Sequence, residues 1–238
     1  MNNTPADSSP ARQLALNMQL RDDATLESFL ALSSQAPLLA ALRQQLEPGG
    51  EPLLFLHGSG DTGKSHLLQA ACHLAGNVGC YLPLADFGAY PPAEVMQGLE
   101  QMQLVCLDDI EAVLGDRDWE LALFHFFNRA RDQDCRLLIS ASAAPRLLDV
   151  GLADLHSRLC WGLVFQLPVP DDQRRQAILQ FRAQRRGLQM PQEVSRFLVS
   201  RVPRGLASLL MLLDRLDAHS LATQRPLTIP FVKQVLSL

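Results

Sequence analysis

The sequence predicts an α/β fold: a five-stranded parallel sheet followed by a C-terminal helical lid. Three observations predict it. Five short apolar runs recur between residues 53 and 167, with helical patterns between most of them. A glycine-rich loop closing in Gly63-Lys64-Ser65 joins the first run to the first of those helices. Beyond Asp171 the strand signals stop and only helical spacing continues.

Taken in order, residues 1–12 are rich in Pro, Ser, Asn and Asp and read as a flexible tail. Residues 13–20 alternate apolar and polar side chains, as an extended segment does, and complete an N-terminal segment of residues 1–20. Residues 24–32 and 37–46 have helical spacing, and Glu47-Pro48-Gly49-Gly50-Glu51-Pro52 stops the second. The continuous apolar run 53–56 is what a strand buried on both faces requires. Similar runs stand at 78–82, 104–107, 137–139 and 163–167, with helical patterns at 64–74, 92–99 and 119–131. Asp171 is a plausible N-cap for the first of four helices, at 171–186, 191–202, 205–221 and 229–238. Gly187, Pro203 and Arg225-Pro226 separate them. Pro168-Val169-Pro170 marks the boundary between a core, residues 21–168, and a lid, residues 171–238.

With 47% hydrophobic and 19% charged residues in a chain of 238, wholesale disorder is excluded. No apolar run approaches the roughly 18 residues of a membrane span. The first residues have neither a basic nor an apolar region of the kind that directs export, so a cytoplasmic protein without membrane contact is expected. Cys72, Cys80, Cys106, Cys135 and Cys160 stand singly, without a CxxC pair, and read as reduced core thiols. The net charge of −4 conceals an asymmetry: residues 171–238 hold 11 basic against 5 acidic residues. That disfavours a whole-chain polyanion binder but leaves a basic lid able to face an anion. Trp119, Trp161, Phe124, Phe126 and Phe127 read as core or interface packing, and His125 as helix surface.

Only two of the 21 basic residues are lysines, and one of them, Lys64, closes a motif. Gly58-Ser59-Gly60-Asp61-Thr62-Gly63-Lys64-Ser65 fits G-x-x-x-x-G-K-[ST] without a mismatch, between a buried strand and a helix. The glycines let successive backbone N–H groups turn inward around phosphate oxygens. The helix N-terminus adds its positive end. Lys64 can reach the β- and γ-phosphates, and the Ser65 hydroxyl is placed for Mg2+. Asp61 is the awkward residue: an anion near phosphates is unfavourable, so its side chain is expected to point to water.

Leu104-Val105-Cys106-Leu107 delivers two carboxylates, Asp108 and Asp109, to the strand end. Buried parallel strands present their C-terminal residues to the ligand crevice. Asp108 is then placed to hold Mg2+, partly through water, and Asp109 to orient or deprotonate an attacking water. The alternative is that one of them merely caps the next short helix.

These motifs, the five runs and the helical lid resemble an AAA+ nucleotide-binding module of the DnaA-related family. Leu107-Asp108-Asp109-Ile110-Glu111 looks like that family's Walker B segment. Ser157-Arg158-Leu159-Cys160-Trp161-Gly162-Leu163 is similar to its box VII, which implies that Arg158 is an arginine finger acting in trans. Pro203-Arg204-Gly205-Leu206 resembles the sensor II start, which implies that Arg204 faces nucleotide phosphates. Gln13-Leu14-Ala15-Leu16-Asn17-Met18 looks like the sliding-clamp-binding peptide of the family's regulatory members, with Gln13, Leu14, Leu16 and Met18 as anchors. There are departures. After the fourth strand, Ser140 is followed by Ser142 and Ala143, where the family usually has a carboxylate and commonly an arginine. Intrinsic ATPase activity is therefore expected to be weak at most.

The resemblance implies ADP or ATP with Mg2+ as ligands. It implies DnaA and the sliding clamp, the beta subunit of DNA polymerase III, as partners, and it allows self-association. The chain stops where the lid ends and has no helix-turn-helix domain, so direct sequence-specific DNA binding is not expected. The implied function is negative regulation of chromosomal replication initiation. The chain would dock on the DNA-loaded clamp and promote hydrolysis of DnaA-bound ATP. An autonomous DnaA-like or helicase-loader-like ATPase is the alternative.

Overall fold

The computed structural model describes residues 20–201 and 205–236. The apolar runs form five strands: β1 (Leu53–His57), β2 (Gly79–Pro83), β3 (Leu104–Asp108), β4 (Arg136–Ala141) and β5 (Leu163–Gln166). They lie in the order β2-β3-β4-β1-β5, and every neighbouring pair is parallel. The core helices are α1 (Ala36–Gln44), α2 (Lys64–Ala75), α3 (Pro92–Val95), α4 (Arg117–Asp132) and α5 (Ala153–Leu159). The lid consists of α6 (Asp172–Arg185), α7 (Gln192–Arg201), α8 (Leu206–Thr223) and α9 (Ile229–Leu236).

Strand periodicity divides the core in two. Phe55, Val105, Leu107, Leu137 and Ile139 face α4 and pack on Trp119, Leu123 and Phe126. Their neighbours Leu54, Leu56, Leu104, Cys106 and Leu138 face the other way, onto Leu38 and Leu42 of α1 and Leu67 and Leu68 of α2. Side chains of successive strand residues point to opposite faces, so a run without polar interruption fills both layers. The lid has its own core, built on Leu179, Val194, Leu198, Leu213 and Phe231. All five cysteines are free thiols, and burial raises the pKa of Cys72, Cys80, Cys106 and Cys135. Among the described residues, no helix is long and apolar enough to cross a membrane.

The lid helices follow their predicted order, and Asp171 caps α6 by accepting from the Arg174 N–H at 2.7 Å. Three elements differ from expectation. Residues 24–32 hold only a short 3-10 turn, Leu26–Ser28. Thr25 and Ser28 cap each other reciprocally. The carbonyls of Thr25, Ser28 and Leu30 are engaged by His66, Arg182 and Arg174, so they do not serve an α-helical ladder. The pattern at 92–99 yields only α3, because Gly98 turns the chain at φ +78°. Finally, α5 has seven residues, too few for periodicity to reveal.

Residues 20–35 form a strap that joins core to lid. The Arg21 N–H donates to Gln69 of α2 at 3.0 Å. Asp23 accepts from Arg182 of α6 and from Arg186 just beyond it, and Arg186 also reaches Asp214 of α8 at 2.6 Å. Burial alone would raise the Asp23 pKa, but Arg182, Arg21 and Arg186 together hold it below the ordinary carboxylate value. Burial lowers the His66 pKa to about 4, so this imidazole is neutral under the strap at neutral pH.

A depressed folded pKa contributes stability above the unfolded value, near pH 4, and that contribution is lost as pH falls through the folded value. Asp23→Asn should lower stability at pH 7 by about 1 kcal/mol, since the guanidinium donors exchange a carboxylate for a neutral amide oxygen in a partly solvated contact. It should also flatten the acid limb below about pH 4. Thermal melts from pH 3 to 7 check both; an unchanged acid limb would remove Asp23 from this role.

Candidate nucleotide site and arginine face

Strands β3, β4 and β1 are neighbours, so their C-terminal ends bring three motifs to one edge of the sheet. The loop Gly58–Ser65 leaves β1 there. A Cβ on Gly58 would lie 2.6 Å from the Leu167 carbonyl, so this close approach admits only glycine. Gly63 adopts φ +95° immediately before α2 begins at Lys64. Lys64 is buried, and its Nζ donates to the carbonyls of Gly58 at 2.8 Å and Ser59 at 3.2 Å. Thr62 Oγ1 donates to Ser59 O at 3.1 Å and closes the loop.

A cavity of about 550 Å³ opens between core and lid. One end is lined by the loop residues Asp61, Thr62, Gly63, Lys64 and Ser65. The lining also includes apolar side chains, Leu30 and Leu32 of the strap, Val169 of the linker, and Ala177 and Ile178 of α6, together with Arg174 and Arg182. Its volume is of the size that takes a small organic ligand. A phosphate chain suits the loop end, where backbone N–H groups and an ammonium gather, and a flat base suits the apolar side chains.

Asp61 departs from expectation. Its backbone is left-handed at φ +63°, and its side chain does more than meet water. Oδ1 accepts from the Ala207 N–H at 3.1 Å, in the first turn of α8. Gly205, the N-cap of that helix, has no side chain to offer. The phosphate loop thus caps a lid helix, at the end where a carboxylate is favoured.

Asp108 is 2% exposed and fully engaged. Oδ2 accepts from the Tyr81 hydroxyl at 2.6 Å, and Oδ1 accepts from the Ser140 hydroxyl. Burial and the neighbouring Asp108 push the Tyr81 phenol pKa well up. Asp109 is left-handed at φ +52° and opens the turn Ile110–Ala112, yet its side chain makes no capping bond. Burial raises its pKa, with Asp108 and Glu111 adding and Lys64 opposing. An upward-tuned carboxylate near a phosphate loop can accept a proton from water. The sequence assigns Glu111 no role of its own, yet its Oε1 accepts from the Ser142 N–H at 2.7 Å, so a carboxylate does reach the end of β4 from the turn after β3. Among the described residues no group of three or more His, Cys, Asp or Glu is disposed to hold a metal by itself.

Arg158 does not line the cavity. It lies near the end of α5, where Nε and Nη2 donate to Asn128 Oδ1 at 3.1 and 2.6 Å. Nη1 donates to the Asp154 carbonyl at 3.3 Å. Its guanidinium carbon sits 4.4 Å from the Phe124 ring centroid and 5.7 Å from that of Trp161. Trp161 is 65% exposed, and Val164 of the edge strand β5, paired with Phe55 on the α4 side of the sheet, is exposed as well. Trp119 and Phe126 are core as expected, whereas Phe124 and Trp161 frame the arginine. Asn128 carried no sequence signal, because its partner lies 30 residues away. Gln13, Leu14, Leu16, Met18 and Arg204 lie outside the described residues.

Comparison with known proteins agrees with this fold. Residues 171–236 match the family model for the Hda lid domain. The fold is similar to domain III of the replication initiation protein DnaA from Thermotoga maritima, with a TM-score of 0.74 at 24% identity over 92% of this chain and 98% of that one. It is similar to AMPPCP-bound DnaA from Aquifex aeolicus, with a TM-score of 0.67 at 23% identity over 82% of this chain and 65% of that one. It is also similar to the Thermotoga maritima RuvB Holliday junction branch migration motor, with a TM-score of 0.66 at 15% identity over 90% of this chain and 71% of that one. Residues 171–236 thus match the Hda lid domain, and core and lid together share the fold of DnaA domain III.

Proposed function

We propose that the chain is a nucleotide-bound negative regulator of replication initiation. It docks on the DNA-loaded sliding clamp through Gln13, Leu14, Leu16 and Met18. It then presents Arg158 to ATP held by DnaA and promotes its hydrolysis. The observation that carries this reading is the position of Arg158: its guanidinium lies against Phe124 and the exposed Trp161 and takes no part in its own chain's cavity. A guanidinium so placed acts on a neighbour's nucleotide, where such fingers contribute roughly 10³–10⁵ in rate. Tethering to a common clamp raises its effective concentration beside DnaA, so weak direct affinity suffices.

The chain's own site supports ADP or ATP binding as a device that ties lid to core. Gly58, Ser59, Gly60, Asp61, Thr62, Gly63 and Lys64 would wrap the phosphates, with Arg204 approaching from the lid. Mg2+ fits the hard oxygen donors, with Ser65 as direct ligand and Asp108 acting through water. Bound there, it would neutralise phosphate charge. Turnover at this site should be slow: Asp108 is held by Tyr81 and Ser140, and Ser142 supplies no carboxylate of its own. An autonomous ATPase keeps one observation in its favour, the upward-tuned Asp109 beside Lys64.

Two outcomes are expected. Arg158→Ala should reduce clamp-dependent hydrolysis of DnaA-bound ATP by at least about 10³-fold while leaving nucleotide binding intact. Lys64→Ala should weaken ADP binding by about tenfold or more, measured by titration calorimetry. If the unaltered protein, supplied with ADP and loaded clamp, gives no acceleration, the regulator reading fails. Rapid turnover by the protein alone would favour the autonomous ATPase.

A further inference from the structure

The helix that carries Arg158 does not complete its own N-terminus. α5 has seven residues, and Leu152 at its N-cap offers no side-chain acceptor. The first amides of a helix have no internal partners. Glu120 of α4 meets the N-cap amide and the one before it, where the chain enters the helix. It is 3% exposed. Its Oε1 accepts from the Gly151 N–H at 2.9 Å and the Gly115 N–H at 3.0 Å, and its Oε2 accepts from the Leu152 N–H at 2.7 Å. A Cβ on Gly151 would stand 3.2 Å from Oε2, so the glycine is what admits the carboxylate. A carboxylate also suits the positive end of the helix.

Glu120, Phe124 and Asn128 stand at i, i+4 and i+8 of α4, along one side of that helix. Glu120 holds the start of α5, while Phe124 and Asn128 hold the guanidinium near its end. Buried Leu155 and Leu159 keep α5 on the core without regard to its exact axial position. Apolar contact is non-directional; the two charge-assisted bonds to the Gly151 and Leu152 amides are not. We infer that Glu120 is a positioning residue for Arg158: it fixes where α5 begins and hence where the guanidinium leaves the surface. This rests on the reading of Arg158 as a finger toward DnaA-bound ATP.

Glu120→Gln tests it, because the carboxamide keeps the shape but turns an NH2 toward amide donors. The readouts are the clamp-dependent rate of DnaA-bound ATP hydrolysis, the protein concentration at half-maximal rate, ADP affinity, and hydrogen exchange at Gly151 and Leu152. Arg158→Ala runs beside it. The maximal rate should fall by at least about tenfold, since a misplacement of about 1 Å can cost that and more. Half-saturation and ADP affinity should not change, and exchange at the two amides should quicken. Gly151→Ala, crowding the same carboxylate from the other side, should move the rate the same way. A full rate in Glu120→Gln overturns the inference, as does a loss matched by an equal loss of ADP affinity, which marks general unfolding. If even the unaltered protein gives no stimulation, the finger reading has failed. The exchange data then still decide whether Glu120 sets α5, and unchanged exchange overturns it.

Discussion

Two arginines of the lid, one on α6 and one at its C-terminal cap, meet one carboxylate on the strap, and the cavity depends on that meeting. The lid joins the core through the short linker around Pro168–Asp171, and it carries an excess of positive charge. Asp23 gathers Arg182 and Arg186, and Arg186 extends the contact to Asp214 of α8. At the other wall, Asp61 reaches Ala207 at the start of α8. The lid is thus held by one acidic contact beside α2 and a second on the phosphate loop itself. Because Asp61 belongs to the loop, a change in loop conformation is felt by α8 without passing through the linker.

The sheet order performs a different task. Placing β1 beside β4 and β4 beside β3 sets the loop, Ser140 and Asp108 along one edge. Ser140 Oγ donates to Asp108 and accepts from the Asp109 N–H at 3.0 Å, so one hydroxyl fixes both carboxylate-bearing residues. The left-handed backbone at Asp109 follows from that bond and from the turn that begins at once afterwards. Strain at a non-glycine residue of this kind persists only where neighbours over-determine it.

The five strands, the phosphate loop and the four lid helices were legible because each rests on a local pattern. A doubly buried strand must be apolar without interruption, and Gly63-Lys64-Ser65 must open a helix. The strap was misread for a physical reason: its helical spacing is real, but Arg174, Arg182 and His66 take the carbonyls that a helix needs. Those partners lie 41 to 154 residues away, and no local window contains them. The same holds for the pairing of Arg158 with Asn128, of Glu120 with Leu152, and of Glu111 with Ser142. Residue types at the site could be named from sequence; the hydrogen bonds that aim them could not.

Each of the described contacts of Arg158 is electrically neutral: an amide oxygen, a backbone carbonyl and two aromatic rings. Such contacts orient a guanidinium without cancelling its charge. Had a carboxylate filled the place of Asn128, an arriving anion would first have to break an ion pair. Here it meets a cation whose field is unquenched and whose entropy of ordering is already spent. Approach to this face should therefore quicken in dilute buffer and slow in salt, the signature of long-range attraction.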